Sequence, residues 1–128
     1  MIEFLQRMYR LVWEEGDLEA AFAELPAEFE WIVPDHPDGA VHRGRRAVEA
    51  FFRDWIAQWD EPTAEWQLEA VGPETVLSRT TARGRGKTSG VPVELQFFQV
   101  WTFRDGLAVR MVVYGDEARA RAAASAGR

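Results

Sequence analysis

The chain has 128 residues, 47% hydrophobic and 12% aromatic with six Trp and eight Phe, enough apolar material for the core of one domain spanning 1–128. Its formal charge of −6 opposes nucleic-acid binding, which needs a basic face, and the absence of cysteine excludes disulfides, thiolate chemistry and Cys-ligated zinc. The N-terminal MIEFLQRMYR carries an early acid instead of the apolar run of a signal peptide, and nowhere do about 18 apolar residues follow one another, so a cytoplasmic protein without membrane contact is expected.

Ile2, Leu5, Tyr9 and Val12, flanked by Phe4, Met8 and Leu11, recur at intervals of three and four and predict a helix over about residues 3–15, stopped by Gly16-Asp17. Asp17 is placed to cap a second helix over 18–24, whose end Pro26 announces. EFEWIV, residues 28–33, alternates polar and apolar and predicts a short strand closed by Pro34. From Gly44 onward, Val48, Phe51, Phe52, Trp55, Ile56 and Trp59 form one helical stripe, with Pro62 beyond its end. Strands are then predicted at 64–71, 75–84, 91–104 and 107–115, separated by GPE, GRGKTSG and RDG, connections short enough to join neighbours antiparallel. An alanine-rich polar tail from Asp116 predicts a short or fraying helix.

Helices gathered ahead of an antiparallel meander define an α+β fold rather than βαβ units. A curved antiparallel sheet wrapped over N-terminal helices leaves a cone, which rings or a ligand must fill.

GRGKTSG contains Gly-Lys-Thr but is no phosphate loop, because Thr81 stands where the pattern needs its first glycine and a strand, not a helix, surrounds it. Arg43, Arg45, Arg46, Arg79, Arg83, Arg85 and Lys87 are dispersed and read as a solvated face. The decapeptide DHPDGAVHRG, residues 35–44, holds Asp35, His36, Asp38 and His42 without a recognised ligand spacing, so no metal and no cofactor are expected. Ser78, Ser89 and Ser125 lie in no Gly-x-Ser-x-Gly context, which leaves nucleophilic catalysis unsupported.

Strand parity is more informative. Val93, Leu95, Phe97, Gln99, Trp101 and Phe103 share one face, and Gln99 is the lone polar group on it. Tyr9 lies on the buried stripe of the first helix. A buried amide and a buried phenol must both find partners, so they satisfy each other or a trapped water, or they donate into the cavity.

MYRLVWEEGDLEAAF, FEWIVPDHPDGAVHRGRRAVEAFFRDW and QVWTFRDGLAVRMVVYGD together resemble the SnoaL-like proteins of the nuclear transport factor 2-like superfamily, over nearly the whole chain. That resemblance implies a small-molecule pocket. Among ketosteroid isomerases, a tyrosine before a Gly-Asp pair resembles Tyr9, and a general-base aspartate ahead of the Gly that opens a Phe-rich helix resembles Asp35. The protonated aspartate of that family falls at Gln99, which can donate a neutral hydrogen bond but no acidic proton.

The resemblance thus implies Asp35 as base, with Tyr9 and Gln99 steadying an oxyanion, in proton transfer next to a carbonyl of an apolar substrate. Trp13, Trp31, Phe51, Trp55, Phe97, Trp101, Tyr114 and Asp116 are the expected pocket residues, Asp116 being the acid that a polyketide-cyclase-like reading would use. The alternative is a non-catalytic site for a small hydrophobic molecule. A homodimer is expected, because a second sheet face would carry Phe98, Val100 and Val113, and the resemblance points the same way.

Overall fold

A computed structural model of the protein describes residues 1–34 and 40–126. In chain order the elements are α1 (Ile2–Trp13), α2 (Leu18–Phe22), β1 (Glu30–Ile32), β2 (Val41–Arg43), α3 (Arg45–Ile56), β3 (Trp59–Gly72), β4 (Thr75–Gly86), β5 (Pro92–Arg104), β6 (Leu107–Tyr114) and α4 (Glu117–Ala126).

The helical period of the first residues buries Leu5, Met8 and Tyr9 on one side of α1. Asp17 caps α2 as its side chain implies, its Oδ1 accepting the Ala20 N–H at 3.1 Å. Gly44 opens α3 with φ of +88°, and a Cβ there would lie 3.2 Å from the Ala27 carbonyl oxygen, so only glycine turns this corner without strain. Val48 and Phe52 of α3 are buried, and Phe51, Trp55 and Ile56 pack beside them.

Six strands form one sheet in the order β2-β1-β6-β5-β4-β3. The pairs β3–β4, β4–β5 and β5–β6 are antiparallel, as short connections require, whereas β1 runs parallel to β6. Register shifts between Asp60 and Thr63, between Ala70 and Gly72, and at Thr102–Phe103 add bends that curve the sheet without closing it. The concave face packs on α1, α2 and α3 around Leu5, Phe22, Phe29, Val48, Trp101 and Met111.

Some expectations change. Trp59 begins β3 instead of ending α3. The short strand β2, pairing with β1, was not visible in the sequence, and β1–β6 breaks the purely antiparallel pattern. The tail forms a short helix as expected, the ten-residue α4, and what the sequence did not show is that it seats Ala120 and Ala124 on the convex face over Leu77, Phe98 and Val100. Phe98 and Val100 are therefore already covered, and Val113 faces the concave side, so the open apolar face expected to receive a second copy is absent among the described residues. No helix among the described residues is long and apolar enough to cross a membrane.

Candidate functional site

Between α3, the end of α1 and the concave sheet lies a cavity of about 230 Å³. Trp13 comes from α1, Trp31 from β1, Val33 from the segment after it, and Phe51, Phe52 and Trp55 from α3, while Thr80, Phe97, Gln99 and Val113 form the sheet wall. None of these residues is charged. A larger depression of about 590 Å³ between α2 and α3 is an open surface groove lined by Arg46, Glu49, Arg53 and Asp54, so the smaller, ring-lined space is the better candidate.

The rings brace one another edge to face: Trp13 meets Phe52 at 5.9 Å and 84°, and Trp55 meets Phe97 at 5.8 Å and 72°. His42 stacks on the back of Phe51 at 4.1 Å. Trp31 is 8% exposed, and its buried indole N–H has no acceptor among the described residues.

The polar part of the site is centred on Gln99. The Tyr9 hydroxyl lies 2.8 Å from both Ser78 Oγ and Gln99 Oε1 and accepts the Trp101 indole N–H at 2.9 Å. Ser78 and Thr80 each donate to Gln99 Oε1 at 2.9 Å. Register explains the meeting, because Ser78 is the cross-strand partner of Gln99, and Thr80 is the next residue on the same face of β4. Burial pushes the Tyr9 phenol up to about 12, against the smaller opposing effect of its hydrogen bonds to Ser78 and Trp101. The phenol therefore keeps its proton across the neutral range.

Tyr9 and Gln99 are thus brought together, with Tyr9 in the core behind the wall and Gln99 on it. Trp13, Trp31, Phe51, Trp55 and Phe97 line the cavity. Trp101 is 2% exposed and lies behind it, bonded to Tyr9. Tyr114 packs with the convex-face cluster, and Asp116 is exposed, with Oδ1 accepting the Arg119 N–H at 3.0 Å in the first turn of α4. Neither joins the cavity lining. Asp35, with His36 and Asp38, lies outside the described residues.

Sequence reasoning missed Val33, Phe52, Thr80 and Val113 as lining residues and Ser78 as a partner of Gln99. The signal for the last pair was present: Val76, Ser78, Thr80 and Ala82 alternate along β4, and two hydroxyls on a buried parity call for a buried acceptor. Among the described residues no three His, Cys, Asp or Glu side chains gather to hold a metal ion.

The family model for the SnoaL-like domain matches residues 5–111. The chain belongs to the SnoaL-like domain family. Comparison with curated proteins finds no match. Solved structures share the SnoaL-like architecture at low identity. A nuclear transport factor 2-like protein of unknown function from Burkholderia pseudomallei is 24% identical, with a TM-score of 0.76 over 92% of each chain. TerC, co-crystallised with polyporic acid, is 19% identical, with a TM-score of 0.74 over 97% of each chain. A candidate SnoaL-like polyketide cyclase from Jannaschia sp. is 18% identical, with a TM-score of 0.77 over 98% of this chain and 91% of its own. At these identities the likeness is one of fold, and the chemistry of this SnoaL-like chain has to be argued from its own cavity.

Proposed function

We propose that this SnoaL-like protein holds a small, neutral, apolar molecule in the cavity between α3 and the sheet. The observation that carries the reading is the wall itself: rings and aliphatic groups with no charge among the described residues, broken by the amide of Gln99 and by Thr80, whose hydroxyl is bonded to that amide. A charged ligand would lose its hydration there without a counter-charge in return. At about 230 Å³ the cavity falls below the roughly 300–1,000 Å³ of drug-sized sites, so the ligand is compact.

A second reading makes the pocket catalytic, with Asp35 as a base that removes a proton next to the ligand's carbonyl while Gln99 donates to the developing oxyanion. It is favoured by one observation: Trp31 and Val33, at alternate positions, both line the cavity and carry the chain along its wall just ahead of Asp35. Tyr9 then acts through Gln99, since its hydroxyl is committed inside the core.

Acetophenone tests both readings. Titration followed by tryptophan fluorescence reports binding, and loss of its methyl protons in deuterated water reports proton transfer. Asp35→Asn is expected to abolish catalysed exchange while leaving affinity nearly unchanged, because shape is kept and basicity removed. Gln99→Leu is expected to slow exchange by about 10²–10³, the usual loss for one oxyanion donor. Binding with no exchange above background in the wild type would leave a binding protein only, and absence of binding would overturn both readings.

A further inference from the structure

Gln99 is held from one side. Three hydroxyls, from Tyr9, Ser78 and Thr80, stand 2.8–2.9 Å from its Oε1, and each carries a single proton. Trp101 Nε1 can only donate, and it does so to the Tyr9 oxygen. Tyr9 can pass its proton to Ser78 or to Gln99, and Ser78 lies 3.3 Å from Thr80, so the chain of hydroxyls needs an acceptor at its end. The amide oxygen is the acceptor-only atom in the cluster. Turning the amide over would bring two N–H donors to the point where the hydroxyl protons converge and leave a buried proton without an acceptor. Ser78 is 0% exposed and Thr80 1%, so water does not relieve that conflict.

We infer that Tyr9, Ser78, Thr80 and Trp101 are positioning residues that lock the Gln99 amide with its oxygen in the core and its nitrogen toward the cavity, so that the pocket selects a ligand bearing an acceptor oxygen, as in a neutral ketone. This rests on the pocket reading above. The amide nitrogen of Gln99, a half-buried residue on the cavity wall, donates to no group of the described chain. The wall therefore offers this amide donor and leaves the acceptor to the ligand. The raised pKa of Tyr9 keeps in place the proton on which the lock depends.

The test compares acetophenone with α-methylstyrene, which replaces the carbonyl oxygen by a methylene of nearly the same shape. The wild type is expected to prefer the ketone by about fivefold to tenfold, the worth of one neutral hydrogen bond. Ser78→Ala combined with Thr80→Val should bring that preference close to unity, read as the ratio of the two affinities within the variant so that any change in the lining affects both probes alike. Thr80→Ser, which keeps the hydroxyl, should retain the preference. Tyr9→Phe, a milder change that keeps the ring, should reduce it and serves if the double variant does not fold.

In the ligand-free protein, nuclear Overhauser effects from the Gln99 Nε2 protons should reach the ring protons of the cavity rather than the side chains of Ser78 and Thr80. The reverse pattern would overturn the lock without any ligand being needed. A ketone preference that survives loss of the hydroxyls would overturn it too. Failure of both probes to bind the wild type would defeat the pocket reading and leave the amide orientation to be decided by the Overhauser measurement.

Discussion

Tyr9 shows how a residue that resembles a catalytic one acquires a different task from its surroundings. Its ring packs against Trp66 at 5.7 Å and Trp101 at 6.2 Å, and its hydroxyl is shared among neighbours rather than offered to the cavity. A phenol pushed from 10.0 up to about 12 by burial stays protonated in the folded chain at a pH where the unfolded chain ionises. Its contribution to stability is therefore complete below the unfolded value and is lost as pH rises from about 10 towards about 12. Tyrosinate absorbance and circular dichroism, followed together on alkaline titration, should show Tyr9 ionising late and in step with loss of structure. Tyr9→Phe should remove that ionisation. Ionisation of Tyr9 near 10.0 in a chain that stays folded would contradict the account.

At the scale of elements, α3 decides whether a cavity exists. Its stripe seals the concave sheet through Val48 and Phe52 and lines the cavity with Phe51, Phe52 and Trp55. The angle at which it starts depends on Gly44, whose N–H donates to the Phe29 carbonyl at 2.7 Å. Gly44→Ala combines a positive φ with a Cβ held against the Ala27 carbonyl, and the expected cost is about 1–3 kcal/mol of stability. In urea denaturation this should appear as a lower midpoint with an unchanged slope. An alanine variant as stable as the wild type would mean that the corner relaxes freely. The stripe and its glycine were legible in the sequence because helical period and positive φ are local properties. The three-residue β2 was not, since so short a strand exists only through its pairing with β1.

For the whole molecule, α4 covers the apolar cluster on the convex face. Ala120 and Ala124 fit α4 closely to Leu77, Phe98 and Val100, while Glu117 bonds Arg79 and Arg121, and Arg121 reaches Glu69 at 3.0 Å. The Arg121 guanidinium holds Glu69 below the usual carboxylate range, and Arg79, followed by Arg121, does the same for Glu117. Lowered carboxyl pKa values stabilise the folded form above the ordinary carboxylate range, and that help is lost as pH falls through the depressed values. Glu69 is exposed and Glu117 half-buried at the surface, so salt should screen both pairs. Amide hydrogen exchange in α4 should accelerate on acidification and in high salt before exchange in β4 and β5 does. Truncation after Asp116 should uncover Phe98 and Val100 and promote self-association, measured by sedimentation against the full chain. A truncated chain that sediments like the full chain and is equally stable would show that α4 does not guard this face.

Local patterns along the chain suffice for the α+β class, α1 and α3 with their buried faces, the antiparallel run from β3 to β6 and the parity that sets Phe97 and Gln99 on the inner side of β5. Each follows from periodicity, turn residues and short connections, which act between residues close in the chain. Long-range contacts supply what that parity leaves open. Gln99 meets Tyr9 and Ser78 across separations of 90 and 21 residues, so whether its amide faces water, core or cavity depends on the register of distant elements. The same reason accounts for the parallel pairing of β1 with β6 and for α4, whose alanines carry only a weak helical pattern and become a seal once a curved sheet presents Phe98 and Val100 to them.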